Sequence, residues 1–280
     1  MRRKFVQYDV FSPIPTKGNA LAVVVDGTGL TEEQMQNFAA WTNLAETTFI
    51  FPPTVAEADY KLRIFTPSRE MLFAGHPTLG SCSAWLHAGG VPKKTGLVRQ
   101  ECAIGIVDID LTGKVAAFIA PPTRIGELPS SNRQAIVNAL KISPDRIKGS
   151  ALLENGPTWH VLELLSAEDV LSVDSSLVRW PDFTPIGLIG PHPQGSECQY
   201  EVRMLAPSSG MTEDPITGSL NSAISHWLQA QNRLNSDIVV SQGTVINRNG
   251  RVFIKPDPNR KNRTLIGGHT HIIIEGDVYL

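Results

Sequence analysis

The chain contains Gly75-His76-Pro77-Thr78-Leu79-Gly80-Ser81 and, about half its length later, Glu213-Asp214-Pro215-Ile216-Thr217-Gly218-Ser219. Both heptapeptides follow a strand-like Arg-x-x-x-Pro segment, at 63–67 and 203–207, and both precede a run of small and apolar residues. The repeat predicts a duplicated half-domain in which His76 and Asp214 head two equivalent helices. If the halves face each other across a cleft, they form an acid/base site from two non-identical copies of one turn.

The length of the chain suits two lobes, each with its own core. It has 280 residues, of which 41% are hydrophobic, and lobes of roughly 130 residues each can bury a core of their own. A break at Pro121-Pro122 places the boundary. We therefore expect an N-terminal lobe over residues 1–118, joined by the last strand at 268–280, and a C-terminal lobe over 119–267.

Charge and cysteine content limit the possible partners and locations. The formal net charge is −2, with acidic and basic residues interspersed, which argues against a nucleic-acid partner or a polybasic membrane patch. No apolar run approaches the roughly 20 residues of a membrane span. The three cysteines, Cys82, Cys102 and Cys198, are scattered and odd in number, so a reducing cytoplasm is the expected location.

Local signals predict the elements around the two heptapeptides. Thr31 and Gln34 fit a capping box at the start of a helix. Pro77 suits a first helical position, which predicts a helix over 78–87, and Pro215 predicts a second over 216–231. Many strand-like segments surround these helices without an alternating βαβ pattern. The expected fold class is α+β, with two curled, mostly antiparallel sheets, each wrapped around a central helix of small residues.

Four segments together resemble a known family. They are 18–24 (GNALAVV), 43–49 (NLAETTF), 73–80 (FAGHPTLG) and 213–219 (EDPITGS). In this order they are similar to the phenazine-biosynthesis PhzF-like isomerases, with weaker support from Asn155-Gly156-Pro157 and Gln242-Gly243. The resemblance covers nearly the whole chain. It implies a diaminopimelate epimerase-like fold with two pseudo-symmetric lobes, a cleft between them, and a homodimer.

Glu46 is the first candidate for the chemistry. It lies between a helix end and a strand, beside Leu44, Ala45 and Phe49. Apolar surroundings destabilise a charged carboxyl, which suits it for taking and returning a proton. The alternative is a solvated surface glutamate. The resemblance implies that the matching glutamate is the proton shuttle.

The heptapeptides supply the other candidates. The resemblance implies that His76, Asp214 and Ser219 line the substrate site, with His76 and Asp214 in the catalytic group. Gly75 would bring a backbone N–H close to the ligand, and Gly218 beside Ser219 belongs to the same substrate-binding set. Asp214 could instead be only a helix N-cap, and Ser219 could bond only within its own helix.

Two helix N-termini that converge on one cleft favour an anion, because their free N–H groups point at it. We therefore expect a small carboxylate-bearing molecule as the partner, bound in the inter-lobe cleft. The resemblance implies no metal and no cofactor. His269 and His271 share a strand face and could chelate a metal, but no third ligand is evident nearby and a polar strand face is the expected interpretation.

These observations predict a cofactor-independent isomerase that transfers a proton within a small substrate and shifts a double bond. The resemblance implies a substrate like trans-2,3-dihydro-3-hydroxyanthranilate. A racemase or epimerase that needs neither metal nor pyridoxal phosphate is the second hypothesis. A two-thiol version of it is disfavoured, because no cysteine stands at either helix start. The third is a non-catalytic ligand-binding or protein-interaction module.

Overall fold

The structure, a computed structural model, describes residues 1–174, 176, 185–206, 212–257, 260 and 263–280. Pro207, the proline of the second Arg-x-x-x-Pro segment, lies outside them. By its internal contacts the chain divides into two compact units. The first unit comprises Met1–Ile119 together with Gly267–Leu280, and the second comprises Ala120–Ile266.

The elements are numbered in chain order. The strands are β1 (Arg2–Val10), β2 (Asn19–Val24), β3 (Glu46–Phe51), β4 (Tyr60–Phe65), β5 (Glu70–Met71), β6 (Leu97–Cys102), β7 (Gly105–Asp110), β8 (Ala117–Ile119), β9 (Arg124–Gly126), β10 (Ile147–Glu154), β11 (Thr158–Leu164), β12 (Ile186–Pro191), β13 (Tyr200–Leu205), β14 (Glu213–Asp214), β15 (Ile238–Gln242), β16 (Gly250–Pro256), β17 (Thr264–Gly267) and β18 (Thr270–Tyr279). The α-helices are α1 (Glu32–Thr42), α2 (Gly75–His87), α3 (Ser130–Ala139), α4 (Ala167–Ser172) and α5 (Gly218–Ala230). Short 3₁₀ turns occupy Pro144–Arg146 and Thr244–Ile246.

The first unit is one curled sheet around α2. Its strands run in the order β18-β1-β2-β3-β4-β6-β7-β8, and β5 pairs with the end of β4. All neighbours are antiparallel except β2–β3 and β4–β6, which are joined by crossovers that contain α1 and α2. Parallel neighbours require such a crossover, because a tight turn can join only antiparallel strands.

Helix α2 forms the centre of this unit. It contacts β1, β2, β3, β6, β8 and β18, and its residues from Gly75 to Cys82 are all buried. Small side chains allow this close approach: a Cβ added at Gly80 would lie 2.5 Å from Leu21 Cδ2. The other helix, α1, packs Met35, Phe38 and Ala39 against the sheet and exposes its polar face. Its predicted capping box of Thr31 and Gln34 is confirmed.

The second unit repeats this plan. Strands β10-β11-β12-β13-β15-β16 show the same alternation of pairings, with antiparallel neighbours except for β11–β12 and β13–β15. The crossovers contain α4 and α5, in the places that α1 and α2 occupy in the first unit. The first strand of each series also has an antiparallel outer neighbour, β18 for β1 and β9 for β10.

Helix α5 is the buried helix of the second unit, with every residue from Gly218 to Leu228 buried. A separate apolar cluster packs α3 and α4 against the sheet. Its largest members are Leu128, Ile136, Leu140, Ile142, Leu162, Leu164, Ile186, Leu188 and Leu205. The predicted α+β class, with mostly antiparallel sheet and one buried helix per unit, is confirmed.

The predicted helix starts need correction. Helix α2 begins at Gly75, so Pro77 is its third residue and not its first. Helix α5 begins at Gly218, three residues after the predicted Pro215. In the second copy Asp214 pairs with Met204 in a β-ladder, and the amide of Thr217 donates to the side chain of Gln242. These bonds keep the segment before Gly218 out of the helix.

Candidate active site

Glu46 and His76 face each other in the first unit. Glu46 is the first residue of β3, shortly after Asn43 ends α1 in the left-handed conformation (φ 53°). His76 is the second residue of α2. Glu46 Oε2 lies 3.0 Å from His76 Nε2, and the side chains are 16% and 4% exposed. The two atoms approach without the alignment of a hydrogen bond, and within the described residues neither finds another partner.

The other ring nitrogen of His76 meets a buried amide. Asn19 Nδ2, at the start of β2, lies 3.3 Å from His76 Nδ1. The preceding residue, Gly18, donates its backbone N–H to both carboxylate oxygens of Asp9 at 3.0 and 2.9 Å. Burial raises the pKa of Asp9, and the hydrogen bond from Gly18 opposes that rise. Sequence reasoning used Gly18 and Asn19 only for the family resemblance and did not identify Asn19 or Asp9 as part of the site.

The first turn of α2 is open to a ligand's negative charge. Its N-cap, Ala74, offers no side-chain hydrogen bond, and no acidic residue stands in the turn. Two hydrogen bonds of Thr78 hold the turn in place: its Oγ1 donates to Ala74 O at 2.9 Å and accepts from Gln100 Nε2 at 3.1 Å. An uncapped helix N-terminus attracts an anion through its N–H groups. Gly75 and His76 supply the first amides of this turn.

Asp214 is held in the second unit by a network around one glutamine. The hydroxyl of Thr217 donates to Asp214 Oδ2. Gln242 Nε2 donates to Thr217 Oγ1 at 3.0 Å and to Asp214 O at 3.3 Å, while Gln242 Oε1 accepts from Asn221 Nδ2 at 2.8 Å. The alternative interpretation of Asp214 as an N-cap is wrong, because the N-cap of α5 is Thr217. Gln242 belongs to the Gln242-Gly243 pair that supports the resemblance, but the sequence does not predict this role for it.

Gly218 and Ser219 are the first two residues of α5, and both are buried. The N-cap of this helix also makes no side-chain hydrogen bond, and its first turn is free of acidic residues. Asn155 holds the turn from outside: its Nδ2 donates to Ser219 O at 2.8 Å, and its Oδ1 accepts from Trp159 Nε1 at 2.9 Å. The two units therefore contain uncapped helix starts of the same kind.

The predicted site residues thus form two groups. Glu46, Gly75 and His76 lie together in the first unit, and Asp214, Gly218 and Ser219 lie within one short stretch of the second. Their roles in binding and catalysis remain predictions. The first group has the clearer chemistry, since it brings a carboxyl and an imidazole into contact in a nearly buried setting.

The two arginines before the heptapeptides have carboxylate partners within their own units. Arg63 donates to Glu70 at 2.6 and 2.7 Å, and Arg203 donates to Glu213 at 2.7 and 3.1 Å. Arg203 and Glu213 are almost completely buried, with side chains 1% and 2% exposed. Both arginines therefore form internal salt bridges.

The remaining candidates offer less chemistry. Burial raises the pKa of the Cys82 thiol to about 12, so Cys82 is not a thiolate at neutral pH. The rings of His269 and His271 stack with centroids 6.4 Å apart, and His271 Nε2 lies 2.9 Å from Ser12 O. Over the part of the chain that the structure describes, no three His, Cys, Asp or Glu residues group as metal ligands. In the same residues, no helix has the length and apolar character needed to cross a membrane.

A family model described as "Phenazine biosynthesis-like protein" matches residues 8–276 of the chain. A Schizosaccharomyces pombe protein called "Antisense-enhancing sequence 1" is 32% identical, with 99% of this chain and 98% of that protein covered. The trans-2,3-dihydro-3-hydroxyanthranilate isomerase of Pseudomonas aeruginosa is 31% identical, with 99% of both chains covered. A Bacillus anthracis phenazine biosynthesis protein of the PhzF family shares the fold, with a TM-score of 0.83, 21% identity and complete coverage of both chains.

Proposed function

The chain belongs to the phenazine biosynthesis-like family, whose relatives include named isomerases, and on that premise we propose a cofactor-independent isomerase that moves a proton within a small carboxylate-bearing molecule. The proton leaves one carbon, returns to another, and the double bond shifts between them. An isomerase is also what the names of several relatives indicate.

One observation carries the proposal: Glu46 Oε2 and His76 Nε2 lie 3.0 Å apart in a nearly buried setting. A carboxylate held there can act as a general base and, once protonated, as a general acid for the same substrate. A single group that alternates between the two states suits an intramolecular proton transfer, since no second catalyst is required. His76 orients the carboxylate and contacts the substrate beside it.

The residues of the second unit would hold the substrate. We propose that Asp214 binds an amino or hydroxyl group, and that Ser219, Gly218 and Gly75 bind the carboxylate. The support is chemical: both helix starts lack a side-chain cap and carry no acidic residue in the first turn, which favours an anion. In this proposal both groups act on one molecule in the inter-lobe cleft.

The substrate class follows from the relatives. Curated relatives from three Pseudomonas species are named trans-2,3-dihydro-3-hydroxyanthranilate isomerases, so this cyclic amino acid is the first compound to test. The chain would be incubated with it in deuterated water, and absorbance and deuterium content would be followed. We expect a change in absorbance and deuterium at the newly protonated carbon. If a panel of cyclic and amino-acid-like carboxylates binds without any exchange, the chain is a binding module and the proposal fails.

The same assay separates the second hypothesis. A racemase would abolish the optical activity of an enantiopure amino acid without shifting its double bonds. Carboxylate recognition has its own control, because neutral amide analogues should compete much more weakly than the acids. Equal competition by amides would contradict the assignment of the helix starts to a carboxylate.

The proposal also includes a cellular location and an oligomeric state. All three cysteines, Cys82, Cys102 and Cys198, are free and buried, which agrees with a reducing cytoplasm. A homodimer is part of the proposal, and the adjacent exposed side chains of Ile272, Ile273 and Ile274 on β18 offer an apolar surface for it. Sedimentation equilibrium should give twice the mass of the chain. A monomer would contradict the proposed homodimer but not the proposed isomerase activity.

A further inference from the structure

We propose that Asn19 is a positioning residue that fixes the tautomer of His76, so that the neutral imidazole carries its proton on Nε2, beside the Glu46 carboxyl group. The inference rests on the proposed function, because it assigns a task to the Glu46–His76 pair. It adds a residue that the proposed mechanism does not otherwise use. Three observations carry it: the amide on one side of the ring, the carboxyl on the other, and the loop that holds the amide.

The amide determines the state of Nδ1. Asn19 Nδ2 lies 3.3 Å from His76 Nδ1, and both residues are buried, with Asn19 only 1% exposed. An amide nitrogen donates hydrogen bonds and does not accept them. Nδ1 must therefore be the acceptor, and a neutral imidazole with an acceptor at Nδ1 carries its hydrogen on Nε2.

The carboxyl independently requires the same state. Glu46 Oε2 stands 3.0 Å from Nε2, and an ionised carboxylate is only an acceptor. An unprotonated Nε2 would bring its lone pair close to a negatively charged oxygen, whereas Nε2–H brings a partial positive charge to the same place, even without the alignment of a hydrogen bond. Both neighbours of the ring therefore favour the Nε2–H tautomer. Because His76 is only 4% exposed, water has little access to the ring and cannot stabilise the Nδ1–H tautomer instead.

The loop before β2 explains why the Asn19 amide stays in place. Asn19 pairs with Val10 across the β1–β2 ladder, and the two hydrogen bonds from Gly18 N–H to the Asp9 carboxylate fix the residue before it. A Cβ added at Gly18 would lie 2.2 Å from Val10 O. Only glycine allows this close approach, so the backbone that carries the amide has little freedom.

The consequence for the reaction is a carboxyl group that lies beside a fixed N–H group before the substrate arrives. Because Nε2–H lies beside Oε2, the other carboxylate oxygen is left for the substrate proton. Because Asn19 occupies Nδ1, the ring does not need to change tautomer during the cycle. The Asn19 amide contacts the His76 imidazole, which lies beside the Glu46 carboxyl group. The substrate contacts His76 and Glu46 but not Asn19.

The experiment reads the tautomer directly. Nitrogen-15 labelled histidine is introduced into the full chain, and the His76 signals are identified by their loss in His76→Gln. In the wild type we expect a pyridine-like Nδ1 and a pyrrole-like Nε2. A protonated Nδ1 with a bare Nε2 would overturn the proposal, and this measurement needs no variant that perturbs Asn19.

Two variants separate the influence of Asn19 from that of Glu46. In Glu46→Gln the carboxylate is gone, and we expect the Nε2–H tautomer to persist because Asn19 still donates to Nδ1. A switch to Nδ1–H would show that Glu46 alone had set the ring. In Asn19→Asp the donor becomes an acceptor, so both ring nitrogens should be protonated; an unchanged neutral Nε2–H tautomer would contradict the proposal.

Asn155→Asp is the matched control, since Asn155 is also a buried amide but contacts Ser219 and Trp159. It should leave the His76 signals as they are. The tautomer measurement does not depend on turnover, so the inference can fail while the proposed function stands, and the proposed function can fail while the inference stands.

Where turnover is measurable, Asn19→Asp should lower kcat by roughly 10²–10⁴-fold, the range of general acid–base catalysis, with KM little changed. An unaltered kcat would contradict the positioning role.

Discussion

The sequence repeat and the structure align the two helix starts at different residues. The heptapeptide repeat pairs His76 with Asp214, but the hydrogen bonds pair them differently. In both units an arginine of the hairpin binds a glutamate, Glu70 or Glu213, and the buried helix begins five positions after that glutamate, at Gly75 or Gly218. By this measure the equivalent of His76 is Ser219, and Asp214 corresponds to a residue of the short strand β5.

The spacing between the arginine and the glutamate also differs between the two units. Seven positions separate Arg63 from Glu70, and ten separate Arg203 from Glu213. The acidic residue of the second heptapeptide lies in β14, four positions before the helix starts, where Thr217 and Gln242 hold it. One duplicated framework therefore presents an imidazole at one helix start and a hydroxyl at the other, with Asp214 added from the strand.

The largest expected effect comes from exchanging the two helix-start residues. His76→Ser gives the first copy the residue of the second, and it removes the imidazole from Glu46. Turnover should fall roughly 10²–10⁴-fold, the contribution of a positioned acid–base group. Ser219→Ala removes one hydrogen bond to the substrate carboxylate while the helix-start amides remain, so kcat/KM should fall only about 10-fold, or about 1.5 kcal/mol. Similar losses from both would mean that the two starts share one role.

The two arginine–glutamate pairs should differ next most strongly. Arg203 is buried and also donates to Val170 O and Val173 O, so Glu213→Gln leaves a buried charge without its partner. We expect a loss of about 3–5 kcal/mol in the free energy of unfolding. Glu70→Gln breaks the more exposed pair and should lose less than about 1 kcal/mol. Urea denaturation measures both, and equal losses would contradict the assigned difference in burial.

A smaller effect tests the packing of the two buried helices. The sixth residue is Gly80 in α2 and Ala223 in α5. Gly80→Ala would place a methyl group 2.5 Å from Leu21 Cδ2 and should destabilise the chain by about 1–3 kcal/mol through overpacking. If thermal or urea unfolding shows a stabilised variant, α2 has room for a methyl group at Gly80, as α5 has at Ala223, and the two helices are equivalent at this position.

Some features were predictable from local pattern alone. The capping box of Thr31 and Gln34 depends only on residues three apart, and the small residues after His76 indicated a helix that lies close to a surrounding sheet. The resemblance pointed to Glu46, which the structure brings to His76 although thirty positions separate them.

Other features depend on contacts that the sequence does not reveal. The start of α5 is set by Gln242, which binds Thr217 from a strand later in the chain, so Pro215 was a misleading signal. Asn19 reaches His76 only because β2 runs beside the first turn of α2. An amide within a strand has no local signature of such a role, and Asp9 behind it has none either.

The most direct test of the central claim compares two glutamates of the first unit. Solvent deuterium incorporation into trans-2,3-dihydro-3-hydroxyanthranilate would be measured for Glu46→Gln and Glu70→Gln, with circular dichroism to verify the fold of each. The account predicts that Glu46→Gln is folded and shows no incorporation, while Glu70→Gln retains the wild-type rate. Incorporation at the wild-type rate in folded Glu46→Gln would contradict it.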